Sequence, residues 1–152
     1  MALTVSFESV TLETAVQIAQ TALAHARSKS MEPLAVAVLD PRGTLKAYLA
    51  EDGTSLLRLD IAFGKAWGTL GMGFGGREMT RRSAKVPVFI NALQTMSDGK
   101  VVPVPGGVLI RNAAGAIVGA VGISGETSDN DEVCAIAAIE SVKLIADTGD
   151  AH

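Results

Sequence analysis

The sequence predicts an α/β domain of the α+β kind, an antiparallel sheet flanked by helices. Two stretches spell hairpins. Asp40-Pro41-Arg42-Gly43 joins the runs Leu34–Leu39 and Thr44–Ala50, with Pro second and Gly fourth in the turn. Asn112-Ala113-Ala114-Gly115 joins Val108–Arg111 to Ala116–Ile123, and Asn and Gly both tolerate left-handed backbone. The order helix, strand, strand, helices, strands, helix lacks the alternation that builds a parallel doubly wound sheet.

Composition narrows the function classes. The 152 residues are expected to form a single domain, 1–152, and hydrophobic residues make up 48% against 4% aromatics. The core is therefore expected to be Ala, Val, Leu and Ile. A net charge of −3 gives no broad attraction to nucleic acid or to an anionic membrane. Cys134 is the sole cysteine, which excludes an intrachain disulfide. MALTVSFES has no basic start and no long apolar run, so it does not read as a signal peptide. The apolar stretch Ala113–Ile123 is too short to span a bilayer. A cytoplasmic protein is the expectation.

Thr11 is the expected N-cap of a first helix running to about Ser28. Leu12, Ala15, Val16, Ala19, Ala22, Leu23 and Ala26 recur at helical spacing. His25 lies off that face, either as an exposed histidine or as a heme or metal ligand at an oligomer surface. Thr54–Leu70 reads as a second helix with Leu56, Leu59, Phe63, Ala66 and Leu70 as its core face. Arg58 and Lys65 are two turns apart on one side, a pair suited to a carboxylate or to a solvated basic face. Gly64, Gly68 and Gly71 recur along another side. A helix-interior glycine costs ~1 kcal/mol against alanine, so the repeat calls for close packing, expected within the chain or between subunits.

Gly71-Met72-Gly73-Phe74-Gly75-Gly76 spells G-x-G-x-x-G but follows a helix rather than a strand, which rejects a dinucleotide fingerprint. A mobile or closely packed loop is expected instead. Arg77, Arg81 and Lys85 then share a helical face, with Arg82 adjacent: a solvated face or a cluster steering an anionic ligand. Pro87 opens a short helix, Val88–Met96, with Phe89, Ala92, Leu93 and Met96 in phase. Met72, Met79 and Met96 suit core filling or the walls of a flat apolar site. Asp98-Gly99 turns the chain into a short strand, Val101–Val104. After the second hairpin, Ser124-Gly125-Glu126-Thr127-Ser128 is a polar loop. A last helix is expected from Asp131, as N-cap, to about Asp147. Cys134 has no histidine partner in sequence and reads as a buried, inert thiol.

Gly106-Gly107, the run Val118-Gly119-Ala120-Val121-Gly122-Ile123-Ser124-Gly125, and Asp131 together resemble the GlcG/HbpS family. That family includes heme-binding proteins and the C-terminal domain of PduO-type proteins. Asp40-Pro41-Arg42-Gly43 resembles its first hairpin, and Ala62-x-x-Lys65-Ala66 its second helix. The resemblance covers Thr11 to about Ala146 and implies a profilin-like sheet with helices on both faces and a homo-oligomer. Many relatives carry Arg before an Asp-Gly where this chain has Glu51-Asp52-Gly53, so that arginine's role does not carry over. The loop at residues 71–76 is a further departure.

Three functions follow as expectations. By the resemblance, the protein binds heme or a related tetrapyrrole near a subunit interface, with slow degradation as an extension. Heme needs an iron ligand, cations for its carboxylates and apolar walls. Arg58, Lys65, Arg77, Arg81 and Lys85 supply cations, while Phe74 and the methionines supply walls. His25 and the terminal His152 are the histidines at hand. A second expectation is an accessory enzyme of small hydroxy-acid, keto-acid or diol catabolism, with Asp131 or Glu132 as acid–base group. A third is a structural or regulatory oligomer without small-molecule chemistry. For either ligand-bearing case the site is placed where Gly106, Gly107, Ser124, Gly125 and Lys65 converge, with an anionic occupant.

Overall fold

A computed structural model describes residues 1–150. Helix α1 (Leu12–Ser28) starts at Thr11, whose hydroxyl accepts from the Thr14 amide and caps the first turn. Strands β1 (Ala35–Leu39) and β2 (Leu45–Ala50) follow, then α2 (Arg58–Met72), α3 (Gly76–Lys85) and α4 (Pro87–Met96). Strands β3 (Gly107–Arg111) and β4 (Ile117–Ser124), helix α5 (Ser128–Ser141) and a short strand β5 (Ile145–Asp147) complete the chain. The five strands form one antiparallel sheet in the order β2-β1-β4-β3-β5.

Both hairpins close by the expected chemistry. Asp40 Oδ1 accepts from the Arg42 and Thr44 amides, and Asn112 Oδ1 accepts from Ala114 and Ala116. Gly43 and Gly115 occupy the left-handed region, with φ of +88° and +85°.

Each sheet face carries its own core. Val36, Val38, Val108, Ile110, Val121 and Ile123 pack under α1 and α5. Ala37, Leu39, Leu109 and Ala120 pack under α2. Helix α2 sits very close to the sheet because Gly107 and Gly122, partners across β3 and β4, offer no side chain. A Cβ at Gly122 would lie 1.9 Å from the Ala62 carbonyl oxygen, and one at Gly107 would lie 2.2 Å from that of Lys65.

The structure corrects several expectations. Residues 101–104 form no strand; instead they lie on α2, where Gly64 and Gly68 face Val102 and Val101. The glycines thus admit a segment of the same chain, and the alternative of a second subunit at these two positions falls. The α5 helix begins at Ser128, because Thr127 rather than Asp131 is its N-cap. It ends at Ser141, and Ile145–Asp147 turns back as an edge strand tied by Arg111 Nε to Asp147 Oδ2 at 2.8 Å. Helical spacing continues in sequence past Ser141, but the ladder with β3 wins. Leu56 precedes α2 and is 94% exposed, and Leu59 is exposed too. The buried face is Ala62, Lys65, Ala66 and Thr69, since only short or flexible side chains fit against the glycine floor. In α4, Ile90 and Leu93 are buried, while Phe89, Ala92 and Met96 face outward. The loop after α2 is closely packed: Gly73 ends the helix at φ +79°, and Gly75 abuts the Thr148 backbone.

Candidate functional site

The β4 strand ends at Ser124, beneath the start of α2 and beside the start of α5. That junction brings Lys65, Gly106, Gly107, Ser124, Gly125, Arg58 and Asp131 together. Lys65 lies on the sheet-facing stripe of α2. Its Nζ donates to the Ile123 carbonyl at 2.9 Å and to Asp131 Oδ2 at 3.0 Å. A Cβ at Gly106 would stand 2.9 Å from the same Nζ, so glycine there makes room for the ammonium. Asp131 Oδ1 in turn accepts from the Glu126 amide at 3.0 Å, fixing the turn that enters α5.

This pair is sealed, with Lys65 3% exposed and Asp131 1%. Burial pushes the Lys65 ammonium below its ordinary value and the Asp131 carboxyl above its own; their attraction offsets the shift only in part. The expectation that Lys65 meets a ligand directly is corrected accordingly. Its charge is taken up by Asp131, which the sequence placed at a helix cap.

Arg58 stands differently. It shares the stripe of Lys65 two turns earlier, at the outer end of α2. Its Nη1 donates to Ser124 Oγ at 3.0 Å, and it forms no ion pair among the described residues. The side chain is part-exposed, with exposed Leu56 and Leu57 just before it.

The expected steering cluster is largely neutralised. Arg77 grips Glu132 with Nε and Nη2 at 2.9–3.1 Å and reaches Asp129 at 2.8 Å. Glu132, an acid–base candidate, is buried in this clamp between α3 and α5. Arg81 pairs with Glu78 and Asp150; Arg82 pairs with Glu78 and lies over the Phe74 ring. Lys85 is exposed and unpaired among the described residues. Met79 is buried core and Met96 lines the rim of an apolar cavity with Trp67, Met72, Leu93 and Val101. That cavity holds about 220 Å³, below the ~300–1,000 Å³ of drug-sized sites.

His25 is half-buried on α1, and its Nε2 is buried without a hydrogen-bond partner among the described residues. An iron ion reaches it only if the ring turns outward. His152 lies outside the described residues. Cys134 is buried beside Met31, its thiol pushed up to about 11 by burial, as suits an inert group. Glu51, at the departure from the family pattern, accepts from the Leu34 amide at 2.9 Å and pairs with Arg27 at 2.7 Å. The described residues contain no cluster of His, Cys, Asp and Glu able to hold a metal ion. Sequence reading missed Glu126, which holds the Glu32 amide at 2.9 Å and closes the loop over Asp131. Its only signal was its place between Gly125 and a helix cap.

An antiparallel sheet with α2 on one face and α1 and α5 on the other is an α+β fold of the HbpS and PduO type. The family described as "Haem degrading protein HbpS-like" matches residues 10–140, and the chain belongs to that family. A crystal structure of HbpS is similar over 92% of this chain and 94% of its own, with 25% identity and a TM-score of 0.79. A double mutant of HbpS from Streptomyces reticuli is similar over 92% of this chain and 90% of its own, at 28% identity and a TM-score of 0.77. The heme complex of PduOC shares the fold at 24% identity, over 93% of this chain and 99% of its own, with a TM-score of 0.80. Curated proteins give no match.

Proposed function

We propose that the protein binds heme or a related tetrapyrrole, held between copies of the chain, with Arg58 taking a carboxylate of the ligand. The carrying observation is the state of Arg58. It is a part-exposed guanidinium anchored, among the described residues, by Ser124 alone, beside the exposed Leu56 and Leu57. A macrocycle with an apolar edge and peripheral carboxylates matches that juxtaposition. Family membership and the likeness to a heme complex support the same ligand class.

The apolar cavity at Trp67, about 220 Å³, is too small to enclose a tetrapyrrole, and the larger hollows of about 410 and 460 Å³ lie against charged side chains, at Glu51 and Asp52 and at Asp60 and Lys100, which supports a site completed by a second copy. The residues near Arg58 suit the rim of the macrocycle. The His25 Nε2 is buried as packed and does not present itself to an iron ion. Asp131 and Glu132 are both engaged in ion pairs, which favours binding over acid–base catalysis.

Titration with heme, followed by absorbance, tests the reading. A saturable band at a fixed ratio to chain is expected. Arg58→Ala should weaken binding about tenfold, the effect of ~1.4 kcal/mol, and Arg58→Lys should restore part of it. Absence of saturation, or equal affinity in all three proteins, overturns it.

A further inference from the structure

Residues 3–8, Leu-Thr-Val-Ser-Phe-Glu, alternate between apolar and polar at every position, and the alternation ends at Ser9-Val10. A period of two is the signature of a strand with one buried face. Yet the segment belongs to no strand. Leu3, Val5 and Phe7 are 93%, 80% and 69% exposed. It is fastened only at its base. The Val10 amide donates to the Val118 carbonyl at 2.8 Å, Glu8 Oε2 accepts from Asn112 Nδ2 at 2.8 Å, and the Arg42 guanidinium stands 5.7 Å from the Phe7 ring centre. These contacts lie at the end of the sheet where both hairpins turn, and the arm leads away past the β1–β2 turn.

The same sheet has an open edge of matching length. β2 spans six residues and, among the described residues, pairs only with β1, so its outer backbone groups have no ladder partner there. Edge strands are ordinarily guarded by charges, proline or a bulge. β2 carries one charge, Lys46, at a bulge near its first end, and no proline, so the edge from Ala47 to Ala50 is regular and unguarded. Ala47 and Leu49 already pack against the α1 side of the core, half-covered, where an apolar neighbour on a sixth strand would continue the layer.

We propose that the arm of one protomer adds as a strand to the outer edge of β2 in a second copy, turning Leu3, Val5 and Phe7 onto the Ala47 and Leu49 side. The mode is strand addition: the ladder supplies affinity, and the alternate side chains fix the face. Copies are joined by an exchange of arms, which gives the association assumed for the heme site a specific interface. The inference rests on that association but not on the ligand, so a failed heme titration leaves it standing.

Successive amides of a strand point to opposite sides, so only one of each adjacent pair faces the partner. Val5→Pro and Ser6→Pro therefore make a matched test on the full chain. Sedimentation across a dilution series should show the assembly weakened about tenfold or more in one variant and much less in the other, with thermal unfolding by circular dichroism unchanged at high concentration. Amide exchange of residues 3–9 and 46–50 in the native chain should be slow when concentrated and fast when dilute. A monomeric native chain overturns the proposal. So do unchanged assembly in both variants and arm amides whose protection ignores concentration.

Discussion

Lys65 and Asp131 show how one burial decision sets the chemistry of two residues. In water their attraction is weak; under α2 it must offset the loss of hydration for both charges. Removing one partner leaves the other stranded. Lys65→Met is expected to destabilise the fold by about 3–5 kcal/mol, while Lys65→Met with Asp131→Leu recovers most of the loss. Denaturant unfolding measures both. The pH dependence follows from the raised Asp131 carboxyl. A carboxyl that binds its proton more tightly when folded loses stability as pH rises from its unfolded value to its folded one. Without Lys65 the rise is larger, so the Lys65→Met deficit should grow from acid pH toward neutrality. A deficit flat in pH would show that Asp131 does not carry it.

Among the elements, α2 and the strand glycines fix each other's position. Gly122 has no room for a methyl group, because the Ala62 carbonyl oxygen stands where a Cβ would be. Gly122→Ala should push the helix off the sheet and cost about 3 kcal/mol. Gly115→Ala meets no neighbour within 4 Å but must hold φ near +85°, a cost of about 1–2 kcal/mol. Thermal unfolding should therefore rank Gly122→Ala below Gly115→Ala. The reverse order would mean that α2 relaxes easily and that the contact with β4 is not tight. Helix α3 is held by a different device, the Arg77 clamp on Glu132 of α5. Its loss leaves a buried carboxylate unpaired, so Arg77→Ala should cost about 2 kcal/mol.

At the scale of the whole molecule, charge is organised for assembly of the chain more than for long-range attraction. Arg77, Arg81 and Arg82 spend their charge on Asp129, Glu132, Glu78 and Asp150. Paired surface charges are further screened beyond ~8 Å at physiological salt. Arg81→Ala should thus leave heme affinity within about twofold while Arg58→Ala loses about tenfold. Raising salt should affect the two proteins alike. Equal losses at both positions would restore the steering cluster and displace Arg58 from its role. Among the described residues no helix is long and apolar enough to cross a membrane.

The sequence by itself determined what local chemistry can decide. Thr11 caps α1 because a hydroxyl there meets an orphan amide, and Pro87 opens α4 because it lacks an amide to waste. Asp40 and Asn112 fold their hairpins by bonding their own neighbours. The gathering of Lys65, Ser124 and the Gly106–Gly107 pair near one junction was also legible, since each residue type there suits close approach or charge. Only the tertiary structure decided who meets whom. Periodicity continued α5 beyond Ser141 and drew Leu56 into the core, because a pattern cannot register a ladder with β3 or a floor of glycine. Nor does any local signal tell a cation held for a ligand from one claimed by a carboxylate 66 positions away. Arg58 and Lys65 share one stripe of one helix. The depth of the sheet beneath each leaves the first beside solvent and seals the second with Asp131.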